Sequence, residues 1–189
     1  QFTLEKDQID QIRLITGIND YDFEWVLEPG KDFQTPEAIM GFSQQGLNGM
    51  SQVFHKLLRD RVARGKYQYA DRPIVINNWE ATFFDFDDKK LDQIIDEAKP
   101  LGIEMFVLDD GWFGHRNDDN SSLGDWFVNQ DKLTGGLKRV ADRTHEHGMK
   151  FGLWFEPEMI NKGSDLYRAH PDWMIQTPDR RASHGRNQF

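Results

Sequence analysis

The apolar residues in the first third of the chain follow a strand period and then a helix period. They alternate loosely over residues 12–18, and Tyr21, Phe23, Trp25 and Leu27 occupy every second position of residues 21–27, which predicts two antiparallel strands. The dipeptide Asn19-Asp20 between these segments is typical of a tight hairpin turn. Over residues 50–62 the apolar side chains recur every three or four positions, which predicts one amphipathic helix that ends before Gly65.

After residue 72 three short apolar runs predict the strands of a sheet. The runs lie at residues 73–76, 103–108 and 149–155. Each run is nearly continuous rather than alternating, which is typical of buried parallel strands. We therefore expect a parallel sheet that is covered on its outer face.

Two helices are predicted between these strands. Residues 91–98 carry an apolar stripe that ends at Pro100, and residues 137–141 carry a second stripe. Thr134 is the expected N-cap of the second helix, and Gly148 is its expected end. The alternation of strands and helices indicates an α/β fold, which is either a (β/α)8 barrel or a doubly wound sheet.

The length of the repeating unit favours the barrel. Residues 72–189 hold three units of about 39 residues each, so eight units would need about 315 residues, within the usual range for a (β/α)8 barrel. A doubly wound nucleotide-binding sheet would carry a glycine-rich turn after its first strand. The sequence instead has Asn77-Asn78-Trp79-Glu80 at that position.

The pattern divides the chain into three parts. Residues 1–42 are predicted to be the last strands of a β-domain, and residues 43–71 a linking helix and connector. Residues 72–189 are predicted to be the first part of the barrel, with about three βα units. Because the chain begins with Gln rather than Met and has no turn or tail signal at its end, we expect it to be cut at both ends.

Composition and charge exclude several classes of partner. The net charge is −9 and the pI is about 5.1, and an acidic surface without clustered Lys and Arg repels the phosphates of nucleic acids. The longest apolar runs, such as residues 151–155, are far shorter than the roughly 20 residues of a membrane helix. The acidic charge therefore favours neutral substrates. The sequence has no Cys and no signal-peptide pattern at its start, so we expect a cytoplasmic protein.

Carboxylates and tryptophans follow each of the three predicted strands. The strand ends read Asn77-Asn78-Trp79-Glu80, Asp109-Asp110-Gly111-Trp112 and Trp154-Phe155-Glu156-Pro157-Glu158. Ligands of parallel α/β folds bind at the carboxyl ends of the strands, so these side chains are expected at one rim. Aromatic planes pack against the C–H face of a sugar ring, and carboxylates accept hydrogen bonds from its hydroxyls. We therefore predict a sugar site, although a single Asp at a strand end more often caps the next turn.

Asp109 and Asp110 are predicted to bind substrate rather than to catalyse. Neighbours on an extended chain point to opposite sides and cannot flank both faces of one scissile bond. The alternative is a metal site that uses these residues with His115 and Glu156. The regular carboxylate spacing of hard-cation loops is missing, so we expect no metal.

Several long motifs occur in order along the chain. They are RPIVINNWEA at 72–81, FVLDDGWF at 106–113, LGDW at 123–126 and GLWFEPEM at 152–159. Together with residues 35–38 and the helix that follows them, these motifs resemble the α-galactosidases of glycoside hydrolase family 36. The resemblance covers nearly the whole chain.

The resemblance implies an N-terminal β-supersandwich, of which the start of this chain is the end, followed by a catalytic (β/α)8 barrel. It implies hydrolysis of terminal α-galactosyl groups from melibiose- and raffinose-type sugars. The reaction proceeds with retention through a covalent galactosyl–Asp intermediate, with no metal or other cofactor. An α-galactoside oligosaccharide is the implied partner, and a homotetramer the implied assembly of the full-length enzyme.

The resemblance also assigns the site residues. Asp109 and Asp110 match the pair that holds the galactose 4- and 6-hydroxyls, and Trp79 and Trp154 match aromatic residues of the pocket wall. The nucleophile, in a Lys-x-Asp motif, and the acid/base Asp are expected beyond residue 189, so the chain alone is expected to be inactive. A related barrel glycosidase, such as an α-N-acetylgalactosaminidase, and an inactive carbohydrate-binding homologue are the alternatives.

Overall fold

The computed structural model describes residues 1–180 and Ala182, and it divides the chain into two units, Gln1–Ala70 and Asp71–Phe189. Within the described residues, every helix is too short or too polar to traverse a lipid bilayer.

The first unit contains an antiparallel hairpin of β1 (Phe2–Lys6) and β2 (Ile12–Thr16). Asp7 shapes the turn between them, because its Oδ1 accepts hydrogen bonds from the backbone N–H groups of Ile9 and Gln11, both at 2.9 Å. The turn is an Asx turn, in which a short side chain replaces a backbone acceptor.

The predicted pairing of residues 12–18 with residues 21–27 is wrong. Residues 23–28 adopt no regular structure, and β2 pairs with the segment that precedes it. The alternating aromatics have another cause: Phe23 and Trp25 both pack on Phe33, with ring centroids 6.4 and 4.6 Å apart. The amphipathic pattern thus reports a local aromatic cluster and not a strand.

The predicted amphipathic helix is confirmed. It is α1 (Gly46–Leu57), which continues into a π-helical turn at Leu58–Val62 and ends before Gly65. Apolar side chains of the first unit are largely exposed, including Tyr21 at 85% and Trp25 at 59%. This unit therefore presents a large apolar surface.

The second unit is built on a three-stranded parallel sheet, in the order β3–β4–β5. Its elements in chain order are β3 (Val75–Asn77), α2 (Trp79–Thr82), α3 (Asp88–Ala98), β4 (Met105–Leu108), α4 (Gly136–Glu146), β5 (Lys150–Leu153) and α5 (Asp165–Ala169), with 3-10 turns at Lys99–Leu101 and Pro171–Trp173. The three predicted strands, the two predicted helices between them and the α/β class are confirmed. One detail is wrong: β3 and β5 are not fully buried, because each lies at an edge of this sheet. Val75 of β3 is 50% exposed, and no residue of β5 is fully buried.

Helix α3 is set by a cap and an apolar stripe. The Asp87 side chain accepts a hydrogen bond from the Lys90 N–H at 2.8 Å, and Leu91, Ile95 and Ala98 are buried. These side chains join the core with Phe106 and Leu108 of β4 and Val140 of α4. The core of the second unit thus lies between the sheet and these two helices.

Thr134 does not cap α4, contrary to the prediction. Gly135 occupies the N-cap position, and Thr134 instead binds α3: its Oγ1 donates to Asp88 Oδ2 at 2.7 Å, and its N–H donates to the same oxygen at 3.0 Å. Arg139 continues the contact by pairing with Asp88 and Asp92 of α3. The two helices therefore lie side by side.

Candidate functional site

Two asparagines join the carboxyl ends of β3 and β4. Asn77 Nδ2 donates to Asp109 Oδ2 at 2.7 Å, and the Asp109 N–H donates to Asn78 Oδ1 at 2.9 Å. The Asp110 N–H donates to Asp109 Oδ1 at 2.8 Å. Both carboxylate oxygens of Asp109 are therefore held in place, while the side chain stays partly exposed.

Asp110 forms a buried ion pair with Arg116. The two residues are 6% and 1% exposed. Arg116 Nε lies 3.0 Å from Oδ1, and Nη2 lies 2.8 Å from Oδ2. Arg116 Nη1 also donates to the Ser121 carbonyl at 2.9 Å. A buried charge is tolerated only when it is paired and hydrogen-bonded, and here both members satisfy that condition.

Lys132 ties together the loops that follow β3 and β4. Its Nζ donates to the carbonyls of Phe84, Gly111 and Arg116 at 2.9, 3.0 and 2.9 Å. Burial lowers the pKa of the Lys132 amine, and the negative charge of Asp110 opposes that shift. The amine therefore holds the backbone at Phe84, after β3, close to the backbone at Gly111 and Arg116, after β4.

Trp79 follows β3 and begins α2. The backbone N–H of Trp79 donates to Asn77 Oδ1 at 3.1 Å, so the same asparagine contacts Asp109 and the start of this helix. The indole meets Phe83 and Phe84 edge-on, with ring centroids 5.2 and 5.0 Å apart. It is partly buried, which leaves part of the ring surface accessible.

Trp154 follows β5 and belongs to a second aromatic group. Its carbonyl accepts a hydrogen bond from Trp112 Nε1 at 3.0 Å. Its ring stacks on Phe113 at 6.4 Å and meets Trp126 at 6.5 Å. Since β3 and β5 flank β4, Trp79 and Trp154 follow the strands on either side of the one that ends at Asp109.

The site therefore has three neighbouring parts. Asp109 and Asp110 lie at the carboxyl end of the middle strand, and one aromatic group follows each flanking strand. Among the described residues, no group of three or more His, Asp or Glu side chains is placed to hold a metal ion. Of the alternative metal set, Asp110 faces the guanidinium of Arg116, and His115 is exposed.

The family model of the melibiases matches residues 32–189. The chain belongs to the melibiase family. It is 58% identical over 188 residues to α-galactosidase 1 of Pediococcus pentosaceus, an alignment that covers 100% of this chain and 26% of that enzyme.

Solved structures agree with this family membership. The structure is similar to the crystal structure of the family 36 α-galactosidase AgaA from Geobacillus stearothermophilus, with a TM-score of 0.91 and 55% identity over 99% of this chain. Variants of AgaA solved with stachyose and with raffinose match with a TM-score of 0.90. This melibiase chain spans about a quarter of the length of these relatives, 26% in each case.

Sequence reasoning missed four residues of the site in this melibiase chain: Asn77, Asn78, Arg116 and Lys132. Asn77 and Asn78 follow the first apolar run, and amide side chains at the end of a strand can form hydrogen bonds to the next strand. This position was the signal that could have identified them. Arg116 and Lys132 lie in polar loops with no periodicity, so no pattern indicated that they are buried. Residues 186–189, where the resemblance implies that the region of the nucleophile begins, lie outside the described residues.

Proposed function

We propose that the chain is a segment of a retaining α-galactosidase that removes terminal, non-reducing α-D-galactosyl groups from melibiose- and raffinose-type sugars. The observation that carries the proposal is the 58% identity to an α-galactosidase across the whole chain. The AgaA variants in complex with stachyose and raffinose support this class of oligosaccharide.

The second unit is, in this proposal, the first part of a (β/α)8 barrel. The strand order follows the chain order, and α3 and α4 lie side by side, which is the arrangement of successive barrel units. The hairpin of the first unit is assigned to the end of a β-supersandwich domain, and α1 to the linking segment.

Asp109 and Asp110 are assigned to the 4- and 6-hydroxyls of galactose, and Trp79 and Trp154 to the walls of the pocket. Each carboxylate oxygen can accept about two hydrogen bonds. Asp109 uses one on each oxygen within the protein and so has capacity for a hydroxyl. A buried acceptor aimed at an axial 4-hydroxyl rejects the equatorial epimer, because the acceptor would then be left unpaired.

The nucleophile and the acid/base Asp are assigned to parts of the enzyme outside this chain, which spans 26% of its relatives. The 189-residue chain alone is then inactive. It is also poorly soluble, because β3 and β5, within the described residues, pair on one edge only and the first unit exposes much apolar surface. A monomeric sample that melts cooperatively would contradict the second expectation.

The test uses the full-length enzyme, meaning the product of the complete reading frame that encodes this chain. A Lys-x-Asp motif is expected roughly 40 residues beyond residue 189, one further βα unit. The enzyme should hydrolyse p-nitrophenyl α-galactoside with retention, as followed by NMR of the first-formed sugar anomer. Hydrolysis of the α-N-acetylgalactosaminide in preference to the galactoside would contradict the proposed substrate. Inversion of the anomeric configuration would contradict the proposed retaining mechanism.

The isolated chain and the missing motif supply the controls. The purified 189-residue chain should show no hydrolysis above background. If the full-length protein binds galactosides but has another residue in place of the motif's Asp and does not hydrolyse them, it is a carbohydrate-binding homologue and the proposed function fails.

A further inference from the structure

The guanidinium of Arg116 is enclosed by protein and turned toward Asp110. At 1% exposure it offers no surface for direct contact with a sugar. Its Nε lies 3.0 and 3.2 Å from the two oxygens of Asp110, and its Nη2 lies 2.8 Å from Oδ2. Asp119 is a more distant carboxylate, 3.9 Å from the same Nη2. The fork of donors therefore fixes the position and plane of one carboxylate.

Arg116 is itself held by groups outside the ion pair. Nη1 donates to the Ser121 carbonyl, and the guanidinium lies 5.5 Å from the ring centre of Phe84. The backbone carbonyl of Arg116 accepts a hydrogen bond from Lys132. The arginine is thus positioned before any ligand arrives, which is what a preorganised site needs.

We propose that Arg116 is a positioning residue for galactoside recognition, which holds the Asp110 carboxylate so that its remaining lone pairs face the substrate hydroxyl. The inference rests on the proposed function and goes beyond it, since it assigns a residue that contacts no sugar. A carboxylate whose plane is fixed loses less conformational freedom when substrate binds, and its charge is balanced inside the protein.

The first test replaces the Arg116 guanidinium in the full-length enzyme. Arg116→Met removes the charge and the donors, and Arg116→Lys keeps the charge but loses the two-point geometry. We expect kcat/KM for p-nitrophenyl α-galactoside to fall roughly 10- to 100-fold in Arg116→Met and less in Arg116→Lys. If Arg116→Met does not fold, Arg116→Lys still decides the question: kcat/KM equal to that of the wild type would overturn the proposal.

Deoxygenated substrates separate positioning from a general structural role. The Asp110→Asn variant first identifies which analogue, 4-deoxy- or 6-deoxy-galactoside, lacks the hydroxyl that Asp110 binds, because on that analogue the substitution has little effect. Arg116→Lys should then lose activity on galactoside and little on that analogue. An equal loss on both substrates would show a structural role and overturn the proposal.

A double variant gives an independent readout. If Arg116 acts through Asp110, Asp110→Asn combined with Arg116→Lys should be no less active than Asp110→Asn alone. Fully additive losses would overturn the inference. Arg139→Met is the matched control, because Arg139 of α4 pairs with Asp88 and Asp92 of α3. The ratio of its activities on the two substrates should equal that of the wild type.

The outcomes distinguish the two proposals. A wild-type enzyme with no activity on α-galactosides refutes the proposed function. An active wild type whose Arg116 variants keep full activity and the same substrate ratio refutes the positioning role alone.

Discussion

The side-chain amide of Asn77 donates a hydrogen bond of 2.7 Å to the carboxylate of Asp109, and so joins the ends of two neighbouring strands. The same side chain accepts a hydrogen bond from the Trp79 N–H through Oδ1. One asparagine therefore sets the orientation of a carboxylate and the start of the helix that carries an indole. The proposed function assigns both of these residues, Asp109 and Trp79, to the galactose site.

Replacing Asn77 by Ala in the full-length enzyme should weaken galactoside recognition moderately. The charge-assisted bond to Asp109 is lost and the carboxylate gains freedom, so we expect a loss of transition-state stabilisation of about 1–2 kcal/mol. The measurement is kcat/KM on p-nitrophenyl α-galactoside. Gln93→Ala is the control, since Gln93 bonds Glu97 on the exposed face of α3. An unchanged kcat/KM in Asn77→Ala would remove the asparagine from the site.

Asp110→Asn should have a larger effect. The substitution replaces a charge-assisted acceptor of the substrate hydroxyl by a weaker one, so a loss on the order of 3 kcal/mol of transition-state stabilisation is expected. Asp142→Asn is the matched control, because Asp142 is an exposed partner of Lys138. Unchanged catalytic efficiency in Asp110→Asn would take Asp110 out of the pocket.

Lys132→Met tests the amine that binds three carbonyls. The carbonyls of Phe84, Gly111 and Arg116 lose their donor, so the melting temperature should fall, by the equivalent of about 1–3 kcal/mol.

The pH dependence of that difference has a defined sign. Burial lowers the pKa of Lys132 in the folded state, so between this pKa and the unfolded value of 10.5 the unfolded chain binds more protons. The stability of the wild type relative to Lys132→Met should therefore increase as the pH rises through that interval toward 10.5. Melting curves of the wild type and of Lys132→Met at pH 8 and pH 10 test this prediction. A difference in melting temperature that is smaller at pH 10 than at pH 8 would contradict the burial of the amine.

Gly152→Ala tests the packing of β5 on β4. A Cβ at this position would lie 2.5 Å from Met105 Cε and 3.0 Å from Val107 Cγ2. The methionine end can move, but the branched valine is stiff, so we expect a destabilisation of about 1–3 kcal/mol. Gly163→Ala is the control, because nothing lies within 4 Å of its added Cβ. Equal melting temperatures for the two variants would contradict the close approach of these strands.

The elements that sequence predicted are those whose packing follows a period. The stripe of Leu91, Ile95 and Ala98 faces the core once per helical turn, and the apolar run at β4 forms a strand in which Phe106 and Leu108 are buried. Both elements follow from the order of residues. The same logic fails for residues 21–27, because the aromatic residues at every second position there, such as Trp25, pack on Phe33 in an irregular segment.

The sequence predicted that the candidate carboxylates and indoles follow the strands, but it did not predict the groups that support them. The strand ends placed Asp109 and Asp110 at one edge, since parallel strands end together. The pairing of Asp110 with Arg116 depends on how a loop without periodicity folds back, and only the three-dimensional structure reveals it.

A crystal structure of the full-length enzyme with bound galactose tests the central claim most directly. One galactose should lie at the carboxyl ends of β3, β4 and β5, with the carboxylates of Asp109 and Asp110 within about 3.2 Å of its 4- and 6-hydroxyls. The indoles of Trp79 and Trp154 should line the same pocket. A galactose bound elsewhere, or any of these four side chains turned away from it, would contradict the account.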